Sequence, residues 1–321
     1  MGSGIGKTPA FSIFCSLLYN GVVKDLLNLK EPKIKERIIG KIKKYIDPTV
    51  DVTVGKRKLR MLLSQRTPYY YASFRTYDRA LPRICKELQK INQNIKIIDV
   101  GANIGDTASL IAEEVNGAFI LCIEGDKIFI PFLRHNVSLI KNNTIVIEEK
   151  YCVDVLENNK FNIETNNGTA HLSISDNNKI ENIDTLDNIV KRNIFNNSDL
   201  LKIDTDGFEI NVLNGARELL KEKHPIIFFE FTPTAYISNN QNPMDLIKIL
   251  NSLGYNKALF YDNFGVPVGI YDFDDIETIE KNIEKIDNKK IHYYDILCIH
   301  NMDEGKYMKI IENEIEQKNG I

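Results

Sequence analysis

The sequence predicts an α/β protein: a mostly parallel sheet with helices on both faces, preceded by an N-terminal helical extension. Three observations carry that reading. From Ile95 onward, short apolar runs alternate with amphipathic stretches at helical spacing, the pattern of β–α–β crossovers. One run ends in an acid and passes through a glycine-rich turn into a polar-capped helix, reading Ile-Ile-Asp-Val-Gly-Ala-Asn-Ile-Gly-Asp-Thr over Ile97–Thr107. Finally, 321 residues with 43% hydrophobic and 26% charged side chains suffice for one large domain plus an extension.

Bulk composition removes several classes. A net charge of -3 gives no reason to expect a nucleic-acid partner. Cys15, Cys85, Cys122, Cys152 and Cys298 are scattered, so neither a disulfide framework nor a Cys-rich zinc site follows. Reduced thiols in a cytoplasmic protein are the simplest expectation. No run of roughly 18 apolar residues occurs, so no membrane span is expected.

Residues 1–92 form the extension. Its opening Gly-Ser-Gly-Ile-Gly-Lys-Thr imitates a phosphate-binding loop but has Met1 where that loop needs a glycine, and no strand before it. Phe11–Leu29 carries Phe11, Phe14, Leu18, Val22, Leu26 and Leu29 at helical spacing, a helix packed on the main domain or a homo-oligomer contact. Pro32–Tyr45 is Lys-rich and amphipathic, with Ile34, Ile38, Ile39 and Ile42 on its apolar side and its lysines on a solvated face. Val50–Val54 reads as a short strand. Tyr69–Leu88 reads as one helical stretch, in which Tyr70, Arg75 and Tyr77 are candidates to line an acceptor pocket. Rings stack on sugar faces and guanidinium binds oxygens, although a plain packing helix explains the same residues.

The main domain, residues 93–303, then alternates. Lys96–Val100 is a strand with Asp99 near its end; Gly101 and Gly105 let the backbone turn tightly, and Asp106 or Thr107 caps the helix Thr107–Val115. Ala118–Ile123 is a strand ending in Glu124, which follows Gly105 at close to the ~20-residue spacing of an acid that accepts ribose hydroxyls. Ile128–Ile140 is a helix and Thr144–Glu149 a strand. Tyr151–Asp154 is a turn able to close over an adenine edge, and Phe161–Ile174 a hairpin carrying Gly168 and His171. Helices over Asp184–Arg192, Ile210–Lys221 and Pro243–Leu253 alternate with strands Leu200–Ile203 and Ile226–Phe231. Ala258–Tyr261 and Tyr294–Ile299 pair at the end, and 304–321 is a frayed helical tail.

Asp99, Glu124, Asp204 and Glu230 all fall at strand ends, which in a parallel sheet share one ligand-binding edge. An acid before the turn, without Gly-x-Gly-x-x-Gly spacing, suits a ligand bearing hydroxyls and positive charge. S-adenosylmethionine is such a ligand. Of the five histidines only His171 lies in the insertion over that edge, where a neutral imidazole would make a good base.

Four segments in order make a resemblance. Val100–Thr107, Asp184–Asp187 (Asp-Thr-Leu-Asp), Leu200–Ala216 (Leu-Leu-Lys-Ile-Asp-Thr-Asp-Gly-Phe-Glu-Ile-Asn-Val-Leu-Asn-Gly-Ala) and Pro225–Glu230 (Pro-Ile-Ile-Phe-Phe-Glu) resemble the FkbM family of S-adenosylmethionine-dependent methyltransferases, from about Arg75 to His300. The resemblance implies a Rossmann-like class I methyltransferase sheet, mostly parallel with its last strand antiparallel, and S-adenosyl-L-methionine as cofactor. It implies that Gly101, Asn103 and Gly105 pass along the methionine part, that Glu124 holds the ribose, that Asp154 approaches the adenine and that Asp204 lies near the amino group and methyl. Asp99, Ala102, Asp106, Thr107, Gly125, Asn136 and Val153 join them as cofactor-binding candidates. His171, Asp204 and Glu230 become the catalytic candidates, and Tyr70, Arg75, Tyr77, His171 and Asp206 the acceptor-binding ones. The expected reaction is O-methylation of a sugar, polysaccharide precursor or similar small polyhydroxylated acceptor. Asp206 stands where the family usually has Glu. Asp204, Asp206 and Glu230 could collect Mg²⁺, but no dedicated ligand spacing exists and no metal is expected.

Two other classes compete. A nicotinamide-dependent dehydrogenase or epimerase needs the dinucleotide glycine spacing and a Tyr-x-x-x-Lys donor, and neither is present. A non-catalytic cofactor-binding protein would not need all four strand-end acids.

Overall fold

The computed structural model describes residues 9–28, 30–31, 33–154, 161–166, 169–174, 182–287 and 291–318. The N-terminal part comprises helices α1 (Pro9–Leu27) and α2 (Lys33–Lys43), strands β1 (Thr49–Val54) and β2 (Arg57–Leu62), and helices α3 (Thr67–Ser73) and α4 (Ala80–Ile91). The first half of the main domain holds β3 (Lys96–Val100), α5 (Asp106–Glu114), β4 (Phe119–Ile123), α6 (Ile130–Val137) and β5 (Thr144–Glu148). Short strands β6 (Tyr151–Cys152) and β9 (Ile183–Asp184) pair with each other on either side of the hairpin β7 (Phe161–Asn166) and β8 (Thr169–Ile174). The second half holds α7 (Leu186–Arg192), β10 (Leu200–Ile203), α8 (Glu209–Asn214), α9 (Arg217–Lys223), β11 (Ile226–Phe231), α10 (Pro233–Ser238) and α11 (Pro243–Ser252). It closes with β12 (Lys257–Asp262), β13 (Pro267–Asp272), α12 (Ile276–Asp287), β14 (Tyr294–Ile299) and α13 (Glu304–Lys318).

The main sheet has the order β13-β12-β14-β11-β10-β3-β4-β5. The pairings β11–β10–β3–β4–β5 are all parallel, and β14 runs antiparallel between β11 and β12. This is the class I, Rossmann-like arrangement, with one strand more than expected: β13 adds an antiparallel edge. Strand order reverses between β3 and β10, so crossovers leave on opposite sides and open a cleft at the carboxyl ends. Period-two alternation builds both faces. Ile98, Val100, Leu121, Ile123, Leu201 and Ile203 enter one core, while Ile97, Ile120, Cys122, Leu200, Phe228 and Leu297 enter the other.

The extension is not purely helical, because β1 and β2 form an antiparallel hairpin in full register. Its sequence alternates well enough, but Arg57–Leu62 reads as charged until its partner is known. Asn136, expected beside the cofactor, is instead the clamp that fastens this hairpin. Its Oδ1 accepts from the Arg60 N–H at 2.7 Å, and its Nδ2 donates to the carbonyls of Arg60 and Ile104, each at 2.8 Å. Arg57 adds bonds to the carbonyls of Ser109 (2.7 Å) and Ala112 (3.2 Å) on α5. Tyr69–Leu88 is broken between α3 and α4, where Asp78 adopts φ +50°. Ile210–Lys221 is likewise split, around Gly215. The tail is not frayed over its described length: Glu314 is buried, accepts from Arg83 Nε and Nη2 at 2.9 and 2.7 Å, and accepts from Tyr261 Oη at 3.2 Å.

Candidate active site

The glycine-rich turn forms the hinge of the site. Gly101 sits at φ +77°, and a Cβ there would stand 1.8 Å from the Asp204 carbonyl oxygen, so only glycine lets β3 and β10 end this close. Gly105, at φ +80°, is itself the N-cap of α5, and no side chain caps that helix; Asp106 is its first residue rather than its cap. Glu124 ties the turn down. Its Oε2 accepts from the Asn103 N–H at 2.8 Å and its Oε1 from the Asp126 N–H at 2.7 Å. Burial raises this carboxyl to about 7 against the pull of those two donors.

Two cavities open on either side of the turn and share Gly101, Asn103, Asp204 and Asp206. The smaller, about 70 Å³, has Glu124 and Gly125 at one side and walls of Val100, Ile123, Phe129, Tyr151, Cys152 and Phe208. Tyr151 lies flat enough on Gly125 that a Cβ there would be 2.3 Å from the ring. The larger, about 200 Å³, is lined by Asp78, Asp106, Asp204, Asp206, Glu230 and Asp295, with Lys202 as its single cation.

Lys202 organises this acid-rich lobe from below. Its Nζ stands 3.0 Å from Asp99 Oδ1 and 3.3 Å from Asp204 Oδ2, and donates to the Gly101 carbonyl at 3.1 Å. Burial alone would lower its pKa, but the Asp99 and Asp204 carboxylates hold it well above that of an ordinary lysine. The other acids are pushed the opposite way. Burial, reinforced by Asp204 and Glu209, lifts Asp206 to about 8. Burial and Asp106 lift Asp78 to about 7, against a 3.0 Å bond from Tyr71 Oη. Asp106 rises to about 6, again mainly by burial. Glu230 rises well above the carboxylate range through burial and its neighbours Asp204, Asp206 and Asp295, although Thr232 Oγ1 donates to it at 2.8 Å. Glu230 and Asp295 face each other directly across the β11–β14 ladder, a like-charge pair that favours keeping a proton.

The expected site residues divide accordingly. Gly101, Asn103, Asp106, Thr107, Glu124, Gly125, Asp204, Asp206, Glu230 and Tyr77 all line the two cavities. Asp99 does not: it is fully buried beneath the floor as the partner of Lys202. Ala102 is buried with its N–H on the Ile123 carbonyl, and Val153 packs on Phe208; neither they nor Asp154 line a cavity. Tyr70 stands behind Tyr77, ring centroids 5.3 Å apart, and Arg75 is exposed outside both linings. His171 is on β8, and its side chain lies outside the described residues, as does Gly168.

Lys202, Asp78, Asp295 and Gln65 were not anticipated. A lysine inside the apolar run Leu-Leu-Lys-Ile, and an aspartate inside Tyr-Asp-Ile-Leu-Cys-Ile, were legible signals, because buried charges are rare without a partner. Gln65 reaches the turn by donating from Nε2 to Asn103 Oδ1 at 2.9 Å. Among the described residues, two triads have oxygen or nitrogen atoms within 4.8 Å of one another: Asp204, Asp206 and Glu230 in the cleft, and His224, His300 and Asp303 elsewhere. The second is poorly disposed toward an ion. Its imidazoles stack at 3.6 Å and 4°, and His300 Nδ1 already accepts from the Met302 N–H.

A class I sheet with its acids gathered at the carboxyl edge is the architecture of a methyltransferase. The family comparison agrees: residues 99–257 match the methyltransferase FkbM domain. No curated protein matches the sequence. Among solved structures, the chain is similar to the methyltransferase FkbM from Methylobacillus flagellatus KT, with 16% identity and a TM-score of 0.34. That match covers 58% of this chain and spans only 45% of the other. Precorrin-6y C5,15-methyltransferase from Geobacter metallireducens GS-15 gives 10% identity and a TM-score of 0.37, covering 68% of this chain and 87% of that one. The O-methyltransferase from Bacillus cereus in complex with SAH gives 11% identity and a TM-score of 0.39, covering 69% and 81%.

Proposed function

We propose that this methyltransferase uses S-adenosylmethionine to methylate a hydroxyl oxygen of a sugar, glycan precursor or similar small polyhydroxylated acceptor. The observation that carries the reading is the pair of cavities meeting at Gly101, Asn103, Asp204 and Asp206. Apolar walls beside Glu124 suit a nucleoside, and an acid-rich lobe suits a cationic tail and sulfonium. Gly101 lines both, and a Cβ there would collide with the Asp204 carbonyl. When bound, the cofactor supplies an electrophilic methyl carbon.

The chain's own residues then divide the work. Glu124 has lone pairs left to accept from ribose hydroxyls, and Phe129 and Tyr151 flank the base. Asp106 and Asp204 face the positively charged tail. Tyr77, in the larger lobe, offers a ring to a sugar face. Glu230 is the base: it lines the larger lobe, and burial beside Asp204 and Asp206 raises its proton affinity, so its ionised form is a strong acceptor for the hydroxyl proton. Asp206 and Asp295 sustain that affinity by repulsion. Lys202 already neutralises part of the cleft and opposes a divalent cation beside Asp204, so turnover is expected to survive EDTA.

Methyl release from labelled cofactor onto a panel of free and nucleotide-linked sugars tests the reading. Transfer to a sugar oxygen is expected. Transfer to no oxygen acceptor, or tight binding of NAD in place of S-adenosylhomocysteine, would overturn it.

A further inference from the structure

The N-terminal helices carry a surface that the catalytic reading does not use. The inner face of α1 is committed: Cys15, Tyr19, Val22 and Val23 are buried against β1, α2 and α3. Its outer face is apolar as well. Ile13, Phe14 and Leu17 are 60%, 50% and 70% exposed, and with Ala10 they make an i, i+3, i+4, i+7 stripe over the first two turns. Beside it lies α2, held to the flank of α1 by Lys35, whose ammonium stands 2.5 Å from Asp25 and 3.3 Å from the Gly21 carbonyl. The outer face of α2 mixes Ile34, 78% exposed, with Arg37, Ile38, Lys41 and Lys44, and ends at Tyr45, 81% exposed.

Charge says what such a surface meets. Between Lys24 and Lys44 the chain has eight Lys and Arg against three acids, whereas the whole chain has 41 against 44. A second copy of the same surface would set these cations against each other, and interface cores are depleted in charge. An anionic bilayer complements both the cations and the apolar stripe. By length and composition α1 could even cross a membrane. Crossing, however, would strip the hydrogen bonds by which it holds β1: Ser16 Oγ accepts from the Asp51 N–H at 2.9 Å, and Asn20 bonds Asp51 and Thr53 at 2.8 and 3.0 Å. Lying in the interface keeps them all. We propose that the outer faces of α1 and α2 dock this methyltransferase onto an anionic lipid surface.

Co-sedimentation with vesicles tests this, comparing equal-parts phosphatidylglycerol and phosphatidylcholine with phosphatidylcholine alone. The full chain is expected to pellet with the anionic vesicles and to be released at about 0.5 M salt, where screening is nearly complete. Leu17→Asp should weaken binding more than about tenfold, and Arg37→Glu with Lys41→Glu by at least about fivefold per site, with Tm unchanged in both. These positions are exposed and line neither cavity, so methyl transfer to a soluble acceptor should persist. Absence of binding to either vesicle, or equal binding to both, would overturn the proposal. So would a dimer in sedimentation velocity that Leu17→Asp dissolves without any vesicle binding, which would give the face to a second copy.

Discussion

The two lobes of the cleft are built from different kinds of chain. The smaller lobe, around Glu124, comes mostly from consecutive β–α–β units: its glycines, Glu124 and the walls from Val100 to Cys152 follow one another within some fifty residues of sequence, and Phe208 joins them from beyond β10. The larger lobe draws Asp78 from the extension, Lys202 from β10 and Asp204 from just beyond it, Glu230 from β11 and Asp295 from β14. One lobe adds a single carboxylate of its own, Glu124, fastened by two backbone donors, to the shared Asp204 and Asp206; the other gathers six around one buried ammonium. On the proposed function, the contrast sets the first lobe to recognise hydroxyls and the second to hold cations and move a proton.

The largest expected effect breaks the second lobe alone. Glu230→Gln keeps shape and the Thr232 contact but removes the base, and should lower kcat by about 10²–10⁴-fold. His171→Ala in parallel decides between the two base candidates: a comparable fall there, with Glu230→Gln near normal, would reassign the role. Gly101→Val strikes both lobes at a residue they share. With a positive φ and an oxygen 1.8 Å from any Cβ, it should lower affinity for S-adenosylhomocysteine by more than about 100-fold, equivalent to about 2.7 kcal/mol.

The same contrast explains what was legible in the sequence. The sheet, the glycine turn and Glu124 were readable because periodicity and spacing are local. The larger lobe was not, because Asp78 and Asp295 become neighbours only through long-range pairing. Asn136 shows the converse failure. It is on the helix the resemblance places near the cofactor, yet its amide is consumed by Arg60 and Ile104, a partner strand that the sequence did not reveal. Asp99 was read as a ligand contact, but Lys202, three residues into an apolar strand, claims it.

A smaller effect sharpens the electrostatic half of the comparison. Unfolded carboxyls titrate near 4, whereas Asp206 titrates at about 8 and Asp78 and Glu124 at about 7 in the folded protein. The folded state therefore binds more protons across that window, and its stability is lost as pH rises from about 4 to about 8. Thermal melts of the ligand-free protein should show Tm falling over this range, with a shallower slope in Asp206→Asn. A Tm that climbs with pH would mean these acids are ionised and paired. The smallest effects separate neighbours: Tyr77→Ala should raise KM for the acceptor, while exposed Arg75→Ala should leave both kcat and KM near normal.

The most direct measurement is calorimetric titration of S-adenosylhomocysteine into the unmodified protein, Glu124→Ala and Glu230→Gln. Losing a carboxylate that accepts ribose hydroxyls should cost about 1.5–3 kcal/mol, so Glu124→Ala should bind at least about tenfold more weakly. Glu230→Gln should bind within about twofold of the unmodified protein. The reverse order, with Glu124→Ala unaffected and Glu230→Gln impaired, would contradict the assignment of the two lobes.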